Sequence, residues 1–216
     1  MSYISIIGVR HGNAVPARRK GRAADLARPL SMIGRAQIHR RAEMLASLTG
    51  MWTDDFCSSA ERAVQTAQSI LKEDDRSWVN IVPELFTPEG PDGEIHDKLF
   101  AELKYAPAAA YLAHPLNLAH ERDGDGGPFG RFSTNTGTLL AGRIVPHKDN
   151  EHFATALIIG QAVLTPLTVK GIVIAKSGPN EALSDFLDNL EMVEAGAFRV
   201  TFAIGTHVDT TFELYD

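Results

Sequence analysis

The 216-residue sequence predicts an α/β domain built around a parallel sheet. Short, β-branched apolar runs alternate along the chain with segments of helical periodicity. The first run, residues 3–9, is apolar on both faces, as a strand covered by helices on two sides must be. Each of the first two runs stops abruptly in polar residues and leads into a helix. The length accommodates one large domain over residues 1–216 with a substantial core, and nothing in it requires a second.

The first strand ends in Arg10-His11-Gly12-Asn13, and a basic, glycine-containing loop runs on through Lys20-Gly21-Arg22. A helix is expected over 31–48, with Ser31 as N-cap. A second strand around Phe56-Cys57 leads into a helix over 60–71, capped by Ser58 or Ser59, so the unit of strand, loop and helix repeats. Residues 79–82 are a third short strand, followed by a Pro/Gly-rich turn over 83–93. Helical patterns over 94–104, 106–118, 138–145 and 150–163 describe a helical insertion at roughly 94–163, interrupted by a glycine-rich surface loop over 121–131 and by Pro146. Gly171-Ile172-Val173-Ile174-Ala175 is expected to be another buried strand. A helix over 177–190 follows, with Pro179 near its first turn, and the alternating segments 198–204 and 209–214 are expected as terminal strands.

Composition limits the partners. Hydrophobic residues make up 44% and charged residues 22% of the chain, with a mean hydropathy of -0.10, ordinary values for a soluble globular protein. A net charge of -6 disfavours broad attraction to nucleic acid or an anionic membrane, while leaving room for one local basic pocket. Cys57 is the only cysteine, which excludes an intrachain disulfide and a cysteine metal cluster. The first residues lack the basic leader and apolar length of a signal peptide, and no apolar run approaches about 18 residues. The expectation is a soluble, cytoplasmic protein without nucleic-acid or membrane partners and of undetermined oligomeric state.

Ligands of open α/β sheets bind beyond the carboxyl ends of the strands. Arg10-His11, Ser58-Ser59 and Lys176-Ser177 stand at those ends, and Arg62, one turn into its helix, reaches the same edge. Guanidinium groups present paired donors matched to phosphate oxygens, so the expected ligand is a phosphoryl group. Arg-His-Gly alone is a weak signal, because a histidine there is often merely packed or solvated. Other histidines offer no ligand pattern. His147 and His152 fall in a solvated polar stretch, His207 in a turn, and His39, His96, His114 and His120 on helix or loop surfaces. No metal site is expected.

The tripeptide does not stand alone. Leu30-Ser31-Met32-Ile33-Gly34-Arg35-Ala36-Gln37 and Ser58-Ser59-Ala60-Glu61-Arg62-Ala63-Val64-Gln65-Thr66-Ala67 follow it in order. With Arg10-His11-Gly12 these segments resemble the RHG, LSxxGxxQ and SSxxRAxQTA motifs of the histidine phosphatase (phosphoglycerate mutase-like) superfamily. The resemblance implies a three-layer fold with a mostly parallel central sheet flanked by helices. It implies that His11 is the nucleophile that becomes phosphohistidine, that Arg10 and Arg62 bind the phosphoryl oxygens, and that Asn13 adds an amide contact. Glu84 lies in the region where many members place the carboxylate that protonates the leaving oxygen; the alternative for it is a solvated turn residue, and for Ser59 or Gln65 a cap or packing role. Such chemistry needs no metal or other cofactor, since a neutral imidazole is a good nucleophile near pH 7 and arginines neutralise the phosphoryl oxygens.

The last motif of the family, a strand ending in a His-Gly pair, is matched to Ile174-Ala175-Lys176-Ser177-Gly178, which puts Ser177 where the second histidine belongs. A hydroxyl donates one hydrogen bond but carries no positive charge, and losing one preorganised donor typically costs about 10²–10³ in rate. Lys176 has the charge but points to the opposite face of a strand from Ser177. Two readings follow: a phosphatase acting through phospho-His11 on a small phosphomonoester or a phosphoprotein, or a non-catalytic protein that keeps the phosphate pocket. A mutase would need further basic residues beyond Arg18, Arg19, Lys20 and Arg22.

Overall fold

A computed structural model describes residues 2–19, 21–49, 53–72, 79–145, 153–205 and 210–215. The elements are β1 (Tyr3–Arg10), α1 (Arg22–Leu26), α2 (Met32–Thr49), β2 (Thr53–Ser58), α3 (Glu61–Leu71), β3 (Ile81–Val82), a 3₁₀ turn (Pro83–Leu85), α4 (Gly90–Leu103), α5 (Ala108–Leu112) and α6 (Pro115–Leu118). They continue with α7 (Gly127–Ala141), β4 (Phe153–Gly160), α8 (Leu164–Ser177), α9 (Glu181–Asp188), β5 (Ala197–Ala203) and β6 (Thr211–Tyr215). Six strands form one sheet in the order β3-β2-β4-β1-β5-β6. The β3-β2, β2-β4 and β4-β1 pairs are parallel, and the β1-β5 and β5-β6 pairs antiparallel. The mostly parallel α/β sheet flanked by helices is the fold class that the sequence predicts.

Side-chain alternation along the central strands builds the layers. Ile4 and Ile6 of β1 and Ala154, Ala156 and Ile158 of β4 join Leu140, Val169, Ile172, Val173, Leu183 and Leu187 in one core, so α8, α9 and the end of α7 cover that face. Ile7 and Val9, with Leu157 and Ile159, turn the other way to meet Ile38 and Leu45 of α2 and Ala63, Val64, Ala67 and Ile70 of α3. A third cluster, including Leu99, Tyr111, Phe129, Phe132, Val163 and Leu164, ties the helical segment α4–α7 to the start of α8. Among the described residues, no helix is long and apolar enough to cross a membrane.

The structure exchanges two expected elements. Residues 150–163, expected as helix, contain the inner strand β4, paired with β1 on one side and β2 on the other. The helical insertion expected to 163 therefore consists of α4–α7 and ends before β4. Residues 171–175, expected as strand, lie inside helix α8. The cause is burial. Nine residues of α8 are buried, from Leu164 to Val173, so the helix lacks the polar face that would reveal its period, and its valines and isoleucines imitate a buried strand. Conversely, the alanines of Phe153–Gly160 look helical, but tertiary pairing overrides that propensity.

Smaller differences have local reasons. Ser31 does cap α2, its Oγ accepting from the Gly34 N–H at 3.0 Å, whereas the N-cap of α3 is Ala60 with no side-chain cap bond. The last helix starts at Glu181, capped by Asn180, whose side chain accepts from the Leu183 N–H. His96, expected on a surface, is fully buried and stacked 3.8 Å from the Phe129 ring. His147, His152 and His207 lie outside the described residues.

Candidate active site

β1 delivers Arg10 and His11 to the carboxyl edge of the sheet, and a hydrogen bond from the His11 N–H to the Gly160 carbonyl (3.1 Å) binds this point to the end of β4. The loop beyond is pinned to α2 and α3 by the motif side chains. The Gln37 side-chain oxygen accepts from the Asn13 N–H at 2.9 Å, and that of Gln65 accepts from the Leu30 N–H at 2.9 Å. Ser31 Oγ donates to Asn13 Oδ1 at 2.7 Å. A Cβ on Gly12 would sit 2.7 Å from the Gly34 carbonyl oxygen, and one on Gly34 would sit 2.0 Å from that of Asn13, so only glycines let loop and helix meet this closely.

His11 and Arg62 are in direct contact. The His11 Nδ1 lies 2.8 Å from the Gly12 carbonyl oxygen, which can only accept, so Nδ1 carries the proton. Nε2 then holds the lone pair, and it accepts from Arg62 Nε at 2.9 Å. Burial first, then the positive charges of Arg62 and Arg10, lower the imidazole to about 3 despite the opposing Gly12 bond, so the ring is neutral near pH 7. The rest of the Arg62 fork is engaged by Asp25: Nη1 donates to its carbonyl oxygen at 2.6 Å and Nη2 to its carboxylate at 2.9 Å. Burial pushes the Asp25 carboxyl up, but Arg62 and Arg28 together outweigh it and hold the group below its ordinary value.

Arg10 is 7% exposed; its Nη1 donates to the Met192 carbonyl at 2.5 Å, and its guanidinium lies 4.7 Å over the Tyr105 ring. Glu194 lies 3.9 Å from Arg10 Nη2 and accepts from Asn13 Nδ2 at 2.9 Å and Gln37 Nε2 at 3.2 Å.

These groups face one cleft of about 610 Å³. It brings together Arg10, His11, Asn13 and Arg62 of the expected site. Glu84 and Ser177 are not brought there. Glu84 is exposed on the 3₁₀ turn, while its neighbours Phe86 and Thr87 form the wall. Ser177 ends α8 and donates to the Ala203 carbonyl at 2.8 Å. The exchange of strand and helix explains the misplacement: the strand ending beside His11 is β4, and the residue that follows it into the cleft is Gln161. Asp25, Asp97, Gln161 and Glu194 were missed from the sequence. Only Gln161 had a usable signal, as the first polar side chain after an apolar run.

The cleft also carries Arg22, Arg28 and Lys104, so five cationic side chains share it with three carboxylates and the neutral amides of Asn13 and Gln161. Among the described residues, no group of three or more His, Cys, Asp or Glu side chains is placed to share a metal ion.

Residues 6–87 match the family model of the histidine phosphatase superfamily, branch 1. No curated protein matches the chain in sequence. Among solved structures, phosphoserine phosphatase from Entamoeba histolytica in complex with 3-phosphoglyceric acid is 18% identical over 99% of this chain and 97% of its own, with a TM-score of 0.57. The mycobacterial glucosyl-3-phosphoglycerate phosphatase is 17% identical over 97% and 96%, with a TM-score of 0.56. Phosphoglycerate mutase from Bacillus anthracis is 16% identical over 99% and 92%, with a TM-score of 0.53. At such identities the likeness is one of fold. The family match covers most of β1, the Arg10-His11-Gly12 loop, α2 and α3, the elements that set the two arginines around the histidine.

Proposed function

We propose that the protein is a phosphatase that hydrolyses a phosphomonoester through a phosphohistidine at His11. The observation that carries this reading is the orientation of the ring: Nδ1 is committed to the Gly12 carbonyl, and the Nε2 lone pair faces Arg62 in the cleft that Arg10 also enters. A phosphoryl group entering there meets a neutral nitrogen nucleophile and two guanidinium groups able to spread its charge. Asn13 has its side chain engaged by Ser31 and Glu194, which supports a role in holding the loop beside any contact to phosphate.

Gln161 takes the part that the resemblance gives to a second histidine. Its amide is a hydrogen-bond donor without charge, so the site relies on Arg10 and Arg62 for neutralisation. The substrate class is a phosphorylated small molecule or a phosphoprotein. The cleft size suits the former, and two relatives of similar fold are named for phosphoserine and glucosyl-3-phosphoglycerate.

A second reading, a non-catalytic phosphate-ligand binder, is favoured by the neutral Gln161 and by the hold of Asp25 on Arg62. The deciding measurement is turnover of p-nitrophenyl phosphate and a panel of phosphorylated metabolites by wild type beside His11→Ala, without added metal. The phosphatase reading expects turnover that vanishes in the variant and an acid-labile, base-stable phosphoprotein intermediate in wild type. No turnover, with inorganic phosphate still raising the melting temperature, would establish the binder instead.

A further inference from the structure

Resting on the phosphatase reading, we propose that Asp97 of α4 is the proton donor to the leaving oxygen. Attack by His11 Nε2 expels that oxygen on the side of phosphorus away from the ring. His11 stands at the sheet edge, and Asp97, Phe100 and, at the end of α4, Lys104 line the same cleft. These three fall at i, i+3 and i+7, one stripe of the helix, while Ile95, His96 and Leu99 are buried on its other side. The position is therefore set by the same packing that builds the helical cap.

Three carboxylates line the cleft, and two are otherwise engaged. Asp25 is ion-paired at 2.9 Å with Arg62 and 2.7 Å with Arg28, which keeps it charged. Glu194 accepts from Asn13 and Gln37 beside Arg10. Asp97 accepts no hydrogen bond from any described residue, and its charged neighbours are Asp25, which repels its anion, Arg22, which favours it, and Lys104 on its own stripe. Asp97 is exposed at the mouth of the cleft, where partial desolvation first, and then Asp25, raise its carboxyl above the ordinary value against the pull of Arg22, the direction a general acid requires.

In the first step the Nε2–P bond forms as the P–O ester bond breaks, and the Asp97 proton passes to the departing oxygen to give an alcohol. In the second step water attacks phosphorus, its proton returns to the Asp97 carboxylate, the P–N bond breaks, and inorganic phosphate leaves a neutral His11.

Two substrates distinguish this role from a structural one. Nitrophenolate leaves well as an anion, whereas the alkoxide of β-glycerophosphate must be protonated. Asp97→Asn is expected to lower kcat/KM on β-glycerophosphate by about 10²-fold or more while p-nitrophenyl phosphate falls less than about 5-fold, with Asp97→Glu recovering part of the loss. The alkaline fall of the β-glycerophosphate pH profile is expected to disappear in Asp97→Asn. Equal losses on both esters, or no loss on either, overturn the assignment. If wild type turns over neither ester, the phosphatase reading itself fails and takes the proton donor with it.

Discussion

His11 sits in a hydrogen-bonded frame that selects one tautomer, since a carbonyl faces one ring nitrogen and a guanidinium N–H faces the other. The consequence is an imidazole that stays neutral across the physiological range, as the proposed nucleophile must. On the proposed reading the weak point of the site is instead the neutral amide of Gln161. Gln161→Ala is expected to lower kcat by about 10-fold or more, the range for loss of a preorganised donor being about 10²–10³. Gln161→His restores a chargeable donor and is expected to raise kcat, whereas Ser177→His, at the far end of α8, is expected to leave kcat unchanged. Steady-state kinetics on p-nitrophenyl phosphate read all three; a gain from Ser177→His with none from Gln161→His would reverse the placement of the strand end argued above.

At the scale of elements, the crossing of α7 and α8 decides where the helical cap sits relative to the sheet. The backbones touch at Gly137 and Gly171: a Cβ on Gly171 would lie 2.0 Å from the Ser133 carbonyl oxygen, and one on Gly137 would lie 2.3 Å from the Gly171 carbonyl carbon. Ser133 Oγ also donates across the crossing to the Leu167 carbonyl at 2.6 Å. Gly171→Ala gains helix propensity yet must push the helices apart, so it is expected to destabilise by about 1–3 kcal/mol. Gly142 ends α7 with an ordinary φ of -69°, and a Cβ there meets nothing closer than 3.6 Å. Gly142→Ala is accordingly expected to be neutral or to stabilise by about 0.4–1 kcal/mol. Denaturant titration of the pair checks the contrast, and equal effects would show that the crossing is not tight.

At the scale of the whole molecule, stability is tied to pH by buried histidines. His96 is fully buried, neither ring nitrogen makes a hydrogen bond, and burial lowers it to about 4, the nearby Pro128 carbonyl opposing only in part. His11 is lowered in the same direction. An unfolded chain binds protons at these rings from about pH 6.5 downward, while the folded chain does not until about pH 4 at His96 and about 3 at His11, so stability falls as pH drops through that window. For His96 the loss is on the order of 3 kcal/mol. His96→Phe keeps the stacking against Phe129, removes two unsatisfied nitrogens, and is expected to raise the melting temperature and flatten its decline between pH 6.5 and 4. An unchanged pH slope would mean that other groups carry the acid sensitivity.

The sequence by itself determined the fold class, the first three units from β1 to β3, and the group of Arg10, His11 and Arg62. Those features depend on contiguous motifs, and local spacing is enough to place a side chain at a strand end or one turn into a helix. Tertiary structure alone decided the identities of β4 and α8, because a helix buried over most of its length and an apolar inner strand have the same signature until their neighbours are known. That ambiguity put Ser177 at an expected strand end, whereas it is Gln161 that follows β4 into the cleft. It also left Asp25, Asp97 and Glu194 invisible, since each reaches the cleft from an element that packs there only once the sheet order β2-β4-β1-β5 is set. The place of Glu84 was hidden for a related reason: the turn after β3 directs Phe86 and Thr87 to the cleft and leaves the Glu84 side chain exposed, an orientation fixed by packing that spacing does not encode.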